Sequence, residues 1–287
     1  MTRATDRRIG LLFVAPAVIG LVAFVGIPAA ATAVLSLFQW DVLTPPRYLG
    51  LANYSRLLTD SEFGQVMRTT LVFVGATVVP GVALALALGM AVVGPEPIPR
   101  VARVALLVPV CASSIGVSLI WRTVLNTDFG PLNAMLSVVG ISAIPWLSDG
   151  FWSMVAMAGV AIWKGIGYDV AIVVAGLRLM PSHVFEAAAL DGASAWQRVR
   201  HVALPLMTPT IVFLTVIGMV RSAHSFDIAF ALTGGGPARA TTTAPLLIYQ
   251  RAFQFFDMGY AAAMAWVLLL AIALVLIARP RSVALDL

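Results

Sequence analysis

The chain has 287 residues, 60% of them hydrophobic and only 11% charged, with a formal net charge of +5 at pH 7; its mean hydropathy is +0.96 and its pI about 10.0. A soluble globular domain carries roughly 25% charged residues, so this composition excludes an ordinary water-facing fold and places the chain in the membrane class. The basic residues are scattered between apolar runs and form no patch or stripe, which argues against nucleic acid and for positive loops at one membrane face.

A helix needs about 20 apolar residues to cross a bilayer, and six segments reach that length in chain order: 9–35, 66–93, 104–125, 151–177, 209–232 and 259–278. The fold expected is therefore an all-α integral membrane bundle of six transmembrane helices, a single domain over 1–287. The first segment follows Arg7 and Arg8 and is interrupted only by Pro16 and Pro28. It exceeds the roughly 7–15 apolar residues of a signal-peptide core and reads as an uncleaved span. Prolines within spans are tolerated where neighbouring helices satisfy the freed backbone groups. The third segment contains Cys111, the single cysteine, so neither an intrachain disulfide nor a cysteine-based zinc site can form.

The arginines set the orientation. With the N-terminus inside, the cytoplasmic segments hold Arg3, Arg7, Arg8, Arg100, Arg103, Arg178, Arg198, Arg200, Arg279 and Arg281. The outer segments hold Arg47, Arg56, Arg68, Arg239 and Arg251 with six acidic residues, among them Asp41, Asp60 and Asp257. This imbalance has the sign of the positive-inside rule and predicts that both termini are cytoplasmic. Trp40, Trp146 and Trp152 fall near outer ends, where amphipathic rings favour the headgroup region. The longest connections are an outer loop near 38–65 and an inner loop near 178–208, neither long enough for a soluble domain.

The inner loop carries the clearest local pattern. Pro181 presets a helix entry, Ser182 can cap the helix, and Ala187, Ala188 and Ala189 favour helix with a low-profile face. Gly192 permits the positive φ at which helices commonly end. Ser194 and Gln197 have capping-box spacing for a second helix, which Pro205 is expected to stop.

This loop resembles the EAA motif of ATP-binding-cassette importer permeases: Glu-Ala-Ala, two residues, Asp-Gly-Ala, eight residues, then an aliphatic residue, any residue and Leu-Pro. Glu186, Ala187, Ala188, Asp191, Gly192, Ala193, Val202, Leu204 and Pro205 all fall in place. Further stretches are similar to the carbohydrate-uptake permeases of the maltose type, within the MetI-like fold: Phe13-Val14-Ala15-Pro16, Leu37 to Asp41, Tyr48 to Tyr54, Trp163 to Tyr168, Ala175 to Leu177, and Ala231 to Pro237. Arg68-Thr69-Thr70 departs from that group's commoner Asn-Thr start of the second span. The resemblance implies that loop 178–208 is a coupling helix seated in a groove of an ATPase. It further implies a second related permease, two ATPase subunits that bind the ATP and magnesium, and an extracytoplasmic solute-binding protein, free or as a lipoprotein. No cofactor is expected on this chain itself, and the location implied is the bacterial cytoplasmic (inner) membrane.

Ionisable residues at bilayer depth cost at least ~2.5–3.5 kcal/mol each on insertion scales, so they face a cavity or a partner. The fourth span carries Lys164 and Asp169, and the fifth Arg221, His224 and Asp227. Helical periodicity puts Arg221, His224 and Ser225 on one face and Lys164 and Tyr168 on another. With Trp163 as a further aromatic plane, these residues are candidates to line a passage for a hydroxylated solute. The alternative is that they are ion pairs and contacts between helices. Two other functional classes stay open on the residues alone: an intramembrane enzyme using Asp169, Asp227 and His224, and an ion-driven secondary transporter, although no internal repeat is evident. Gly234, Gly235 and Gly236 read as a flexible or close-packed re-entrant turn. A Walker A loop needs Gly-Lys followed by Ser or Thr, and Lys164, the only lysine, stands between Trp163 and Gly165.

Overall fold

A computed structural model describes residues 3–93 and 97–277; Arg279, Arg281 and Ala278, together with the side chains of Arg3, Arg7, Arg8, Arg100 and Arg103, lie outside the described residues. The elements in chain order are α1 (Arg3–Leu21), α2 (Ile27–Leu35), β1 (Phe38–Gln39), β2 (Arg47–Tyr48), α3 (Ala52–Thr59), α4 (Ser61–Val92), α5 (Pro97–Cys111), α6 (Ser114–Val124) and α7 (Pro131–Val138). There follow α8 (Gly150–Arg178), α9 (Ser182–Leu190), α10 (Ala195–Arg198), α11 (Leu204–Leu206), α12 (Thr208–Ala223), α13 (Ala244–Tyr249) and α14 (Met258–Ile277). Among them, Leu11–Leu35, Ser61–Val92, Gly150–Arg178 and Met258–Ile277 are long and apolar enough to cross a membrane; two bent helix pairs raise the number of candidate spans to six.

The described chain forms two compact units, residues 3–63 with Leu247–Ala271, and Gly64–Leu246 with residues 272–277. In the first, α1 runs into α2 through one wide π-turn, Val22–Gly26, in which the Ile27 N–H reaches Val22 O. Pro28 has no N–H and its ring crowds the carbonyl four residues earlier, and the wide turn just before it absorbs that conflict. The loop near 38–65 carries ordered structure of its own. β1 and β2 pair antiparallel with Phe38 opposite Tyr48, and the Asp41 carboxylate accepts from Thr44 Oγ1 at 2.7 Å and from the Thr44 and Leu43 N–H groups. The Thr44 hydroxyl bond, with the backbone bonds, holds the Asp41 carboxyl below the usual carboxylate range.

Asn53 ties this unit together. It is buried, and its Nδ2 donates to Ser36 O at 2.8 Å and Phe38 O at 2.9 Å. Gly259 lies against the same carbonyl so closely that a Cβ there would sit 1.8 Å from Phe38 O. The fully buried Tyr260 donates to Asp60 at 2.5 Å, while Arg56 stacks over its ring at 3.9 Å and pairs with Asp257 at 2.8 Å. Arg251 pairs with Glu62.

In the second unit, α4, α8 and α12 bury a core that includes Ala85, Ile166, Val170, Val173 and Leu214. Small residues set the approach. A Cβ at Gly89 would stand 2.3 Å from Val173 Cγ1, and one at Gly167 only 2.0 Å from Leu106 O. Membrane helices, lacking a hydrophobic force between them, depend on such close backbone contact.

Three predicted segments, the second, fourth and sixth, match single helices, with α4 beginning five residues earlier than expected at Ser61. The third segment is not one helix: α5 and α6 meet at 102°. Pro109 removes a ladder bond in the last turn of α5, and Ser113 takes an extended ψ of 132°. The fifth, 209–232, is also broken. His224 closes α12, residues 225–226 leave the helix, and a separate wide turn covers Ala229–Thr233. Of the two readings of the triple glycine, close packing holds at Gly235, where a Cβ would stand 2.5 Å from Thr242 Oγ1, while Gly234 has open space around it. Gly234 and Gly235 have φ of 62° and 88°, and the Thr242 hydroxyl donates to Gly235 O at 3.0 Å.

Candidate functional site

Two places in the second unit hold the residues singled out by the sequence. The first is the loop between α8 and α12. Residues 182–190 form the expected helix, with Glu186 and Ala187 exposed. Its N-cap is Pro181, and no side chain caps it, so Ser182 lies inside the first turn and not at the cap. The C-terminus closes as a Schellman motif, Ala193 N–H to Ala188 O at 3.0 Å and Gly192 N–H to Ala189 O at 3.1 Å, with Asp191 between and Gly192 at φ 77°. Ser194 and Gln197 then form the predicted capping box, each side chain bonding the other's backbone N–H.

Pro205 does not stop the second helix. A π-turn over Val199–Ala203 precedes it, α11 carries Leu204 and Pro205 onward to Leu206, and the chain bends by 66° into α12. The wide turn offsets the missing N–H, which is why a proline that would break a regular helix is carried through. Leu190 and Trp196, 89% and 68% exposed, flank the bend at Gly192.

The second place is a cavity of about 540 Å³ among α4, α8, α12 and residues 224–228. Lys164, Tyr168, Arg221, His224, Ser225 and Asp227 all line it, and so does Asp169. Lys164 and Tyr168 reach it from one face of α8 as expected, but Arg221 does not share a helix face with His224 and Ser225, which lie beyond the last turn of α12; the break in the helix at 224–226 brings them to the cavity instead. Trp163 is not among the lining residues and packs edge-on against Trp121, ring centroids 5.5 Å apart.

Arg221, Asp169 and Lys164 have partners inside the protein. Arg221 Nη2 donates to Asp169 Oδ2 at 2.7 Å, with the Asp169 side chain 9% and the Arg221 side chain 44% exposed. Lys164 Nζ donates to Ala112 O at 2.9 Å, at the broken end of α5. A helix C-terminus leaves carbonyls unpaired and carries a partial negative charge, so an ammonium there answers both needs. His224 Nδ1 contacts Val220 O at 2.9 Å. Across the cavity wall, the hydroxyls of Thr77 on α4 and Ser222 on α12 bond at 2.7 Å. The sequence reading missed this pair, as well as Gly165, over which the Arg221 guanidinium lies. The i,i+4 spacing of Gly165 and Asp169 was the available signal. Among the described residues no group of three or more His, Cys, Asp or Glu side chains could hold a metal ion.

This fold agrees with what the chain resembles elsewhere. Residues 11–282 match the family model described as binding-protein-dependent transport system inner membrane component. The chain is 31% identical over 267 residues to the sulfoquinovosyl glycerol transport system permease protein SmoG of Agrobacterium fabrum, covering 92% of this chain and 86% of that one. It is 29% identical to the trehalose/maltose transport system permease protein MalF of Thermococcus litoralis, covering 88% and 85%. Its fold also matches a chain of a bacterial alginate ABC transporter, solved in complex with an alginate pentasaccharide-bound periplasmic protein, with a TM-score of 0.83 over 96% of this chain and 94% of that one at 21% identity. The chain belongs to the inner membrane components of binding-protein-dependent transport systems: it is a multi-pass membrane permease subunit of an ATP-binding-cassette importer, a translocation component and not an enzyme.

Proposed function

We propose that this permease forms, with a second related permease, the path of a sugar or related solute: a di- or oligosaccharide, a polyol or a glycerol-phosphate compound. The whole chain, 1–287, acts as one transmembrane domain of six spans, with both termini in the cytoplasm. Two separate ATPase subunits bind ATP and magnesium and drive it, and an extracytoplasmic solute-binding protein loads it. The cavity carries this reading. It collects hydrogen-bond donors and acceptors, namely Tyr168, Arg221, His224, Ser225 and Asp227, on α8, α12 and the segment after α12. Such a set of donors and acceptors suits a polyhydroxylated solute.

The loop 178–208 supports the coupling half of the reading. Glu186, Ala187, Ala188, Asp191, Gly192 and Ala193, followed by Leu204 and Pro205, build an exposed, doubly capped elbow. Its shape can stay fixed while an ATPase groove grips it.

The test is a reconstituted complex with its partner chains. His224→Ala and Ser225→Ala are expected to change substrate-stimulated ATP turnover and uptake while leaving assembly intact. If both leave transport unchanged, these residues are structural. A cysteine at Ala195, in a Cys111→Ser background, is expected to react only from the cytoplasmic side; labelling from outside intact cells overturns the topology.

A further inference from the structure

The segment between α6 and α8 has its polarity inverted. Asn133, in the first turn of α7, is only 6% exposed, and its amide makes four bonds: to Thr127 O, to Ile144 O, from Ile144 N–H and from Trp146 Nε1, at 2.9–3.2 Å. The opposite side of α7 is apolar and open. Pro131, Ala134, Met135 and Val138 recur at helical spacing and are all exposed, Met135 by 70% and Val138 by 85%. Phe129 and Val139 extend the patch, each more than two-thirds exposed. A polar side chain inside and an apolar stripe outside is the reverse of a helix facing water.

Charge narrows what can cover this stripe. From Phe129 to Ser148 the sequence has no Asp, Glu, Lys, Arg or His, and only Asp128 and Asp149 bracket it. A contact with a water-soluble protein carries a polar, solvated rim, and the exposed stripe has no charged one. At the C-terminal end Trp146 packs edge-on against Trp152 at 5.2 Å, and Trp152 against Phe151 at 5.4 Å. Phe151 and Trp152 sit in the first turn of α8, a candidate span, where Phe151 is 68% exposed, and Trp146 packs onto that turn from the loop before it. Indole rings concentrate at the level of lipid headgroups. The stripe therefore continues a boundary that α8 already marks.

We propose that residues 129–148 form a membrane-surface element, with α7 lying in the headgroup region and its Pro131–Ala134–Met135–Val138 face directed to the acyl chains of the same leaflet that receives the start of α8. With no basic residue on it, the element binds by apolar area and not by attraction to anionic lipid. The four bonds of Asn133 hold the loop closed so that the stripe stays outward.

The experiment uses the complete importer in proteoliposomes, with Cys111→Ser removing the only native cysteine. Met135→Cys and Val138→Cys are labelled separately with a polarity-sensitive fluorophore; Thr44→Cys serves as an exposed loop control. At a burial depth of roughly 5–10 Å, quenching by phospholipid spin-labelled near the top of the acyl chain should exceed that by aqueous iodide about threefold at 135 and 138, with the reverse at 44. Dominant iodide quenching at 135 and 138 overturns the proposal. So does quenching by neither agent, which would mean that a protein surface covers the stripe, and so does a signal that changes only when the solute-binding protein is added. If one variant fails to assemble, the other carries the same readout.

Discussion

The guanidinium of Arg221 lies flat over Gly165: a Cβ built on that glycine would meet its Cζ at 3.1 Å and its Nη2 and Nη1 at 3.2 and 3.3 Å. From this seat Arg221 reaches Asp169, one helical turn further along α8. The missing side chain is thus what lets a long cation from α12 lie against α8 and neutralise a buried carboxylate. Gly165→Val is expected to lift the guanidinium away and Asp169→Asn to leave it without its anion. Because Arg221 is half open to the cavity, each should cost about 1–2 kcal/mol, less than for a fully enclosed pair. Thermal melting of the purified complex measures this, and an unchanged midpoint for both variants contradicts it.

A second close approach gives a sharper contrast. At Gly167 an added Cβ would stand 2.0 Å from Leu106 O and 2.6 Å from Leu106 C, backbone atoms of α5 that cannot rotate away. At Gly159, eight residues earlier on the same helix, nothing lies within 4 Å. Gly167→Ala is expected to force α5 off α8 and reduce the yield of folded protein severely, whereas Gly159→Ala should be neutral or slightly stabilising because alanine is the better helix former. Equal yields from the two variants, by size-exclusion chromatography in detergent, would refute the packing.

In the loop between α8 and α12, Gly192 has φ 77° and nothing within 4 Å of its missing Cβ. The position therefore restricts the backbone and not the space. Gly192→Val should cost about 1 kcal/mol or more through strain, while Gly192→Asn, which tolerates the left-handed region, should cost less. The functional expectation is graded in the same order: ATP hydrolysis uncoupled from uptake in the valine variant, partly retained in the asparagine variant. Glu186→Gln removes the exposed charge of α9 and should weaken co-purification of the ATPase. Full substrate-stimulated ATPase activity and uptake with Gly192→Val in a stably assembled complex would remove this loop from the coupling path.

Asn53 offers a test in the first unit. Asn53→Leu keeps the volume but deprives Ser36 O and Phe38 O of their donor, at about 1–3 kcal/mol for each carbonyl left unpaired in a buried place. Asn53→Asp cannot donate and should behave similarly. The check is limited proteolysis of the 38–65 loop, expected to accelerate in both variants; unchanged cleavage would show that the hairpin is held by other contacts.

Much of the architecture could be read in advance because it follows from local rules. The length of the apolar runs located α4, α8 and α14 to within a few residues, and the elbow at 181–198 was legible down to its capping box, since Gly192, Ser194 and Gln197 act on their own backbone neighbours. Where the local signal was ambiguous, the reading slipped: Pro205 does not end a helix, Ser182 does not cap one, and the third and fifth segments are broken at Ser113 and His224. A proline or a polar residue inside an apolar run marks stress on a helix, and only the neighbours decide whether a wide turn or a break relieves it.

The sequence by itself determined that this chain lives in a membrane, how many runs can cross it, and that Lys164, Asp169, Arg221, His224 and Asp227 need partners or a cavity, because the cost of an ionised group in hydrocarbon does not depend on the fold. Which partner each one takes was decided only in three dimensions. Asp169 and Arg221 are 52 residues apart, as are Lys164 and Ala112, and no spacing rule reaches that far. The tertiary structure joined them because Gly165, Gly167 and Gly89 let helix backbones approach until an ammonium meets a freed carbonyl and a guanidinium meets a carboxylate.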